Sequence, residues 1–241
     1  MKRTVKMMAF VAMAAGLAFA SCQKEDNNST ANNSSNSGDN GGSQVATEWV
    51  DLGLPSGLLW ATCNLGATTP EGYGDYYAWG ETATKDVYNW STYKYCTVDA
   101  DGDLQTLTKY NTSSTYGTTD NLTTLEAMDD VATQKLGSGA RMPTADEWRE
   151  LIDNIAYEWT TMNGVNGLKF TASNGNCLFL PAAGNHFDSG LYGDGSLGYY
   201  RSSSLYADDP SDAWYFNFSE SDQSMYGSRR SYGLSVRAVR S

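Results

Sequence analysis

Histidine is almost missing from this chain: His186 is the only one in 241 residues. That removes most zinc, haem and imidazole acid–base chemistry from consideration. Positive charge is also thin, with 16 Lys and Arg against 28 Asp and Glu and a formal charge of −12. Phosphate backbones need clustered Lys and Arg, so nucleic acid is not an expected partner. There are 5 prolines and no Cys-x-x-Cys pair, which excludes redox motifs and zinc ribbons. What is plentiful is aromatic and small: 16 Tyr, 7 Trp, 7 Phe and 24 Gly, with 40% hydrophobic residues overall. Such a chain can build a core, and wholesale disorder is ruled out.

The N-terminus carries an address. Lys2, Arg3 and Lys6 precede an apolar run from Met7 to Ala20. At about 14 residues the run is short of the roughly 20 needed for a membrane-spanning helix, and it reads as a secretory signal peptide over residues 1–21. Phe19-Ala20-Ser21-Cys22 fits a lipobox, which makes Cys22 the expected lipidation site. Removing residues 1–21 takes away three cations and no acid, so the charge moves from −12 to −15. Electrostatics will not hold such a protein on an anionic leaflet, and acyl chains on Cys22 are the expected anchor. Gln23, Lys24, Glu25 and Asp26 follow at once and resemble the export signal that sends Bacteroidota lipoproteins to the cell surface. Outer-membrane attachment with surface exposure is the expected location. Residues 22–46, rich in Asn, Ser, Gly and Thr, are expected to form a flexible polar tether, leaving one domain over 47–241. After lipidation three cysteines remain, Cys63, Cys96 and Cys177; an odd number leaves at least one free thiol, and spacing chooses no pair.

Local patterns predict an α+β domain with two helices, short strands and long loops. One helix is expected from a Thr124 cap, with Leu125, Met128, Val131 and Ala132 on one face and Gly137 at its end. A second follows the capping box Thr144-Ala145-Asp146-Glu147, with Trp148, Leu151, Ile152 and Ile155 as its buried stripe. Strands are expected at 58–62, 75–79, 168–172, 178–181, 213–218 and 234–239. Trp60, Trp79 and Trp214 are expected in the core.

Several blocks together carry a family resemblance. Residues 50–66, Tyr76-Tyr77-Ala78-Trp79-Gly80-Glu81, Asp129-Asp130-Val131-Ala132 and Arg141-Met142-Pro143-Thr144 with Glu147-Trp148 are collinear with Leu178–Gly184 and Gly233–Arg240. They resemble the Fibrobacter succinogenes major paralogous domain over about residues 48–241. The resemblance implies a C-type-lectin-like fold related to the formylglycine-generating enzymes, with the terminal strand pairing near the start of the domain. It does not carry that activity over, because those enzymes need reactive cysteines in the C-terminal part and residues 185–241 contain none. The calcium triplets of sugar-binding C-type lectins are missing as well. His186 has no nucleophile elbow nearby and is expected on a surface loop. Asp99, Asp101 and Asp103 alternate as calcium ligands do, but Leu104 fills the EF-hand glycine position and no Glu closes the loop. A solvated acidic turn is expected, with calcium the weaker alternative.

Binding is expected on the last quarter of the chain. Tyr192, Tyr199, Tyr200, Tyr206, Tyr226 and Tyr232, with Arg229 and Arg230, are interleaved with Ser, Asp and Gly. Tyr with Ser and Gly is the composition of antibody paratopes, since Tyr offers wide amphipathic contact at low entropic cost. Trp214, Phe216 and Phe218 alternate with Tyr215 and Asn217 as the two faces of a strand. The expected function is non-enzymatic capture of a protein or glycan. The alternatives are a structural or adhesive envelope paralog, a retroelement-diversified display protein, and an enzyme of the formylglycine-generating fold with altered chemistry. The retroelement alternative follows from the resemblance: mutated Asn codons yield Tyr, Ser, Asp, Gly and His, which dominate residues 185–232.

Overall fold

A computed structural model describes residues 47–137 and 139–241. The signal peptide, Cys22, the Gln23–Asp26 signal and the tether up to residue 46 lie outside the described residues. In chain order the elements are β1 (Trp49–Asp51), β2 (Leu59–Ala61), β3 (Tyr76–Tyr77), β4 (Cys96–Val98), β5 (Leu104–Leu107), α1 (Val131–Leu136), β6 (Ala140–Arg141) and α2 (Ala145–Asn154). They continue with β7 (Ala156–Met162), β8 (Val165–Thr171), β9 (Cys177–Pro181), β10 (Asn185–Phe187), β11 (Gly190–Tyr192) and β12 (Gly198–Leu205). The last four are β13 (Asp212–Phe218), β14 (Gln223–Arg229), β15 (Leu234–Ser235) and β16 (Val239–Arg240). The described residues thus form a mixed α+β domain of small sheets and two α-helices. None of its helices is long and apolar enough to cross a membrane.

Two sheets organise the rest. One runs β14-β13-β12-β15-β3 and the other β1-β2-β16-β6. The expected strand over 234–239 is real but divided: β15 joins the first sheet and β16 the second. Arg237 lies between them, and its guanidinium turns inward to Asn64 and the carbonyls of Ala61, Thr62 and Phe179. β16 pairs with β2 through Val239↔Trp60 and Arg240↔Leu59, so the ends of the described chain meet. Arg240 also lies 4.6 Å from the Trp49 ring.

Helix α2 forms as the capping box dictates. Thr144 Oγ1 accepts from the Glu147 N–H at 3.2 Å, and Glu147 Oε2 accepts from the Thr144 N–H at 2.8 Å. Arg141 closes on the same carboxylate with two bonds of 2.7 and 2.6 Å, tying β6 to the helix. Trp148 and Leu151 are fully buried against the large core cluster, which contains Trp60, Phe170, Leu180, Tyr200, Phe216, Phe218 and Val239. Ile155 is buried at the helix end, whereas Ile152 packs only at the edge of this cluster.

Helix α1 begins later than its sequence suggests. Thr124 bridges Ser204 instead of capping, and Asp130 is the cap, accepting from the Thr133 N–H at 3.0 Å. Asp130 also accepts from the Met142 N–H at 2.8 Å. Met128, expected on a buried face, is 68% exposed. One residue on, Asp129 is drawn into the core by Lys109 and Tyr110, and residues 126–130 close a single turn on the Glu126 carbonyl rather than continue the helix. Trp214 is likewise half-buried, so the core reading fails there while Trp60 and Trp79 are fully enclosed.

Candidate functional site: an aromatic face on the C-terminal sheet

The Tyr-rich segment folds into strands, and strand phase divides it. On β12–β13–β14, side chains alternate between an inner face toward α2 and an outer face. Tyr200, Phe216 and Phe218 take the inner face, with Tyr200 stacked at 5.8 Å on Phe218 and Trp148 at 5.3 Å from Phe216. Tyr199, Tyr215 and Tyr226 take the outer face. Their rings run across three strands, 5.6 Å and 24° between Tyr199 and Tyr215, then 6.4 Å and 40° to Tyr226. Tyr226 is 45% exposed and the other two are half-buried.

A second aromatic row comes from the hairpin β10–β11, which closes on Asp188 and Ser189 with Phe187 opposite Gly190. Phe187 lies 6.4 Å from Tyr192 and 5.0 Å from Tyr232, and the Arg229 guanidinium stands 6.0 Å from the Tyr232 ring. Tyr192 is 54% exposed, beside the exposed Leu191. Gly184 at the root of the hairpin has φ +66, and a Cβ there would collide with the carbonyl of Tyr192. Only glycine lets the hairpin fold back this tightly.

Arg201 joins the two rows. It sits opposite Tyr215 in register, and its guanidinium donates to the carbonyls of Arg229 at 2.7 Å and Tyr232 at 2.8 Å. The turn that presents Arg229 and Tyr232 is therefore pinned from beneath. Burial pushes Arg201 down to about 10, which leaves it charged at neutral pH. Burial also raises Tyr199, and raises Tyr215 to about 12 with the Tyr199 phenol adding to it. Those two phenols stay neutral, so the outer face is uncharged aromatic surface beside the exposed cation Arg229.

Five expected binding residues are at least partly exposed in or beside these two rows: Tyr199 and Tyr226 in the first, Tyr192 and Tyr232 with Arg229 in the second. Three lie elsewhere. Tyr200 has no exposed surface; its hydroxyl donates to the Pro181 carbonyl at 2.8 Å and accepts from Asn64 at 3.1 Å. Arg230 is equally enclosed, lying over Trp79 at 4.8 Å and donating to Tyr93 Oη and the carbonyls of Lys109, Tyr110 and Pro210. It is a core pin and offers nothing to a ligand. Tyr206 is half-buried and packs edge-on against Trp214 at 4.8 Å, on the side of the sheet that Arg149 covers. Phe187 and Tyr215 belong to the rows without being expected binding residues, Tyr215 being expected only as part of the alternating strand; Arg201, fully enclosed, supports the rows from beneath.

Elsewhere the polar side chains hold structure. Asp129 is the hub of the densest cluster, accepting from Tyr95, from Tyr110 at 2.7 Å, and from Lys109 at 2.6 Å, with Lys94 at 3.3 Å. Burial alone would raise this carboxyl, but hydrogen bonds from Lys109, Tyr95, Tyr110 and Lys94 hold it down at about 2. All these groups already have partners within the cluster, so a ligand would have to displace one. His186 was expected on a surface loop but belongs to β10, paired with Gly233 and set between Tyr76 at 4.6 Å and Tyr88 at 5.4 Å. Burial lowers its imidazole. Asp99 spends one carboxylate oxygen on the N–H groups of Asp101 and Asp103, both at 3.0 Å, in the turn between β4 and β5. No group of three His, Cys, Asp or Glu side chains with metal-binding geometry occurs among the described residues. Cys63 and Cys96 are free and half-buried, and burial raises the Cys96 thiol.

Comparison with protein-family models, curated proteins and solved structures returns no match.

Proposed function

We propose that the chain is an outer-membrane lipoprotein, acylated at Cys22 and exposed on the cell surface, whose domain recognises a ligand without catalysis. The observation that carries this reading is the pair of part-exposed aromatic rows, Tyr199–Tyr215–Tyr226 and Tyr192–Phe187–Tyr232, joined by the buried Arg201. Rigid tyrosines on paired strands lose little side-chain entropy on binding, and they offer both ring faces and hydroxyls. The strongly acidic chain disfavours polyanions, so a protein or a neutral glycan suits the face.

We read the fold as C-type-lectin-like and related to the formylglycine-generating group. Two features support that reading: the closure of β16 on β2, and the Arg141–Glu147 clamp at the strand-to-helix entry. Both blocks that carry the resemblance there act on structure, which agrees with recognition rather than chemistry as the domain's task.

The test is a panel of soluble glycans and extracellular proteins offered to the purified chain. Wild type should retain a member of the panel. Combined Tyr192→Ala, Tyr226→Ala and Tyr232→Ala should release it, since each hot-spot tyrosine typically contributes about 2 kcal/mol or more. Retention by the triple variant would place recognition elsewhere, and no retained member at all would favour a structural envelope paralog. A reverse transcriptase beside the gene, with a near-copy of the segment for residues 185–241 differing at template adenines, would make the face a diversified one.

A further inference from the structure

The five-stranded sheet ends on β14, and that edge is open. β14 is seven residues long and pairs with β13 in unbroken one-to-one register from Asp212↔Arg229 to Phe218↔Gln223. The bond from the Ser219 N–H to the Asp222 carbonyl, 2.7 Å, sets the phase of the ladder. Tyr226 then bonds inward to Tyr215, and the N–H and C=O groups of Gln223, Met225 and Gly227 face away from the sheet. No backbone group among the described residues bonds to them.

Open edges in native proteins are usually blunted by shortness, proline, bulges or charge. The end strands β1, β3 and β6 have three, two and two residues. β9 ends in Pro181, and β7, the other seven-residue edge, carries Glu158 at its third position. From Gln223 to Ser228 the β14 edge has no charge, no proline and no bulge. Such an edge is a template for another strand.

We propose that β14 pairs antiparallel with β14 of a second copy of this chain, making one continuous sheet across a two-fold axis. Charge selects this occupant. Exposed Glu220 and Asp222 lie at one end of the edge and exposed Arg229 at the other. Antiparallel pairing sets each Arg229 beside the acids of the other copy, twice over, whereas parallel pairing would align like with like. The seam also falls where the Tyr199–Tyr215–Tyr226 row stops, so two faces would become one longer aromatic surface. The inference stands on the edge itself and holds whether or not that surface binds anything.

Sedimentation velocity of the full chain carrying Cys22→Ala, over a concentration series, is the test. The chain should dimerise. Met225→Pro removes an outward N–H together with the Met225 packing on the core cluster, and should leave a folded monomer with a lowered melting midpoint. Ser224→Lys places two ammonium groups at the seam and should act in the same direction should the proline unfold the strand. Arg229→Glu should weaken the dimer roughly tenfold, and adding Glu220→Arg with Asp222→Arg should restore it. A wild-type monomer at every concentration would overturn the proposal. So would a dimer that survives Ser224→Lys, or an edge that takes an extended peptide from another protein while the chain stays monomeric.

Discussion

Replacing Asp129 with Asn isolates the hub drawn into the core beside the turn over residues 126–130. The carboxylate is almost fully enclosed, with 2% of its side chain exposed. It accepts from two phenols and from Lys109, with Lys94 farther off. An amide keeps one acceptor oxygen and turns an N–H₂ toward groups that are themselves donors. Removing one partner of a buried charged cluster typically costs about 3–5 kcal/mol, so Asp129→Asn should lose about that much at neutral pH. For a domain of this size each kcal/mol moves the midpoint by about 2–4 °C, which gives a fall of about 6–20 °C. The pH dependence has a definite sign. The carboxyl is held from 3.8 down to about 2 in the folded chain, so its stabilisation is complete above the unfolded value and disappears as pH falls through the folded one. Wild type and variant should therefore differ most at neutral pH and converge in acid. Circular-dichroism melts across that range are the assay. A midpoint loss under about 2 °C, or a gap that does not narrow in acid, would refute the hub.

Trp148→Ala empties a site that touches Trp60, Tyr200 and Phe216, and should cost about 3–5 kcal/mol in denaturant unfolding. His186 should titrate below its ordinary 6.5 by NMR, because burial disfavours its charged form. Its folded value is depressed, so stability should drop as pH falls through that range, and a His186→Gln chain should lack this part of the profile. Cys22→Ala should shift the protein out of the membrane fraction, which unchanged association would contradict. Ala at Lys24, Glu25 and Asp26 should keep acylation while reducing protease shaving of intact cells; equal shaving would show that these residues carry no address.

Helix α2 could be read directly because its signal is local: Thr144, Glu147 and the Trp148–Leu151–Ile155 spacing lie within one stretch. The start of α1 could not, since Asp129 is displaced by Tyr95, Tyr110 and Lys109 from distant parts of the chain. Strands β12 and β14 carry no local signal for a similar reason. Their Ser, Gly and Tyr content looks like loop, and only pairing with β13 makes them strands. The composition of the last quarter pointed to an aromatic surface but not to its members. Tyr199 and Tyr200 are neighbours in sequence yet lie on opposite faces, and Arg229 is exposed while Arg230 is enclosed. Those differences follow from strand phase and from the turn after β14. Arg201 had no local mark at all, because its partners are carbonyls some thirty residues later.

Tyrosine nitration of the native chain, mapped by peptide mass spectrometry, bears most directly on the claim of an exposed aromatic face over a buried aromatic core. Tyr192 and Tyr226 should react first, and Tyr199, Tyr215 and Tyr232 more slowly. Tyr77, Tyr110 and Tyr200 should stay unmodified until the domain unfolds. Early nitration of Tyr200, or protection of Tyr192 and Tyr226 in the monomeric, ligand-free chain, would contradict the division of faces on which recognition rests.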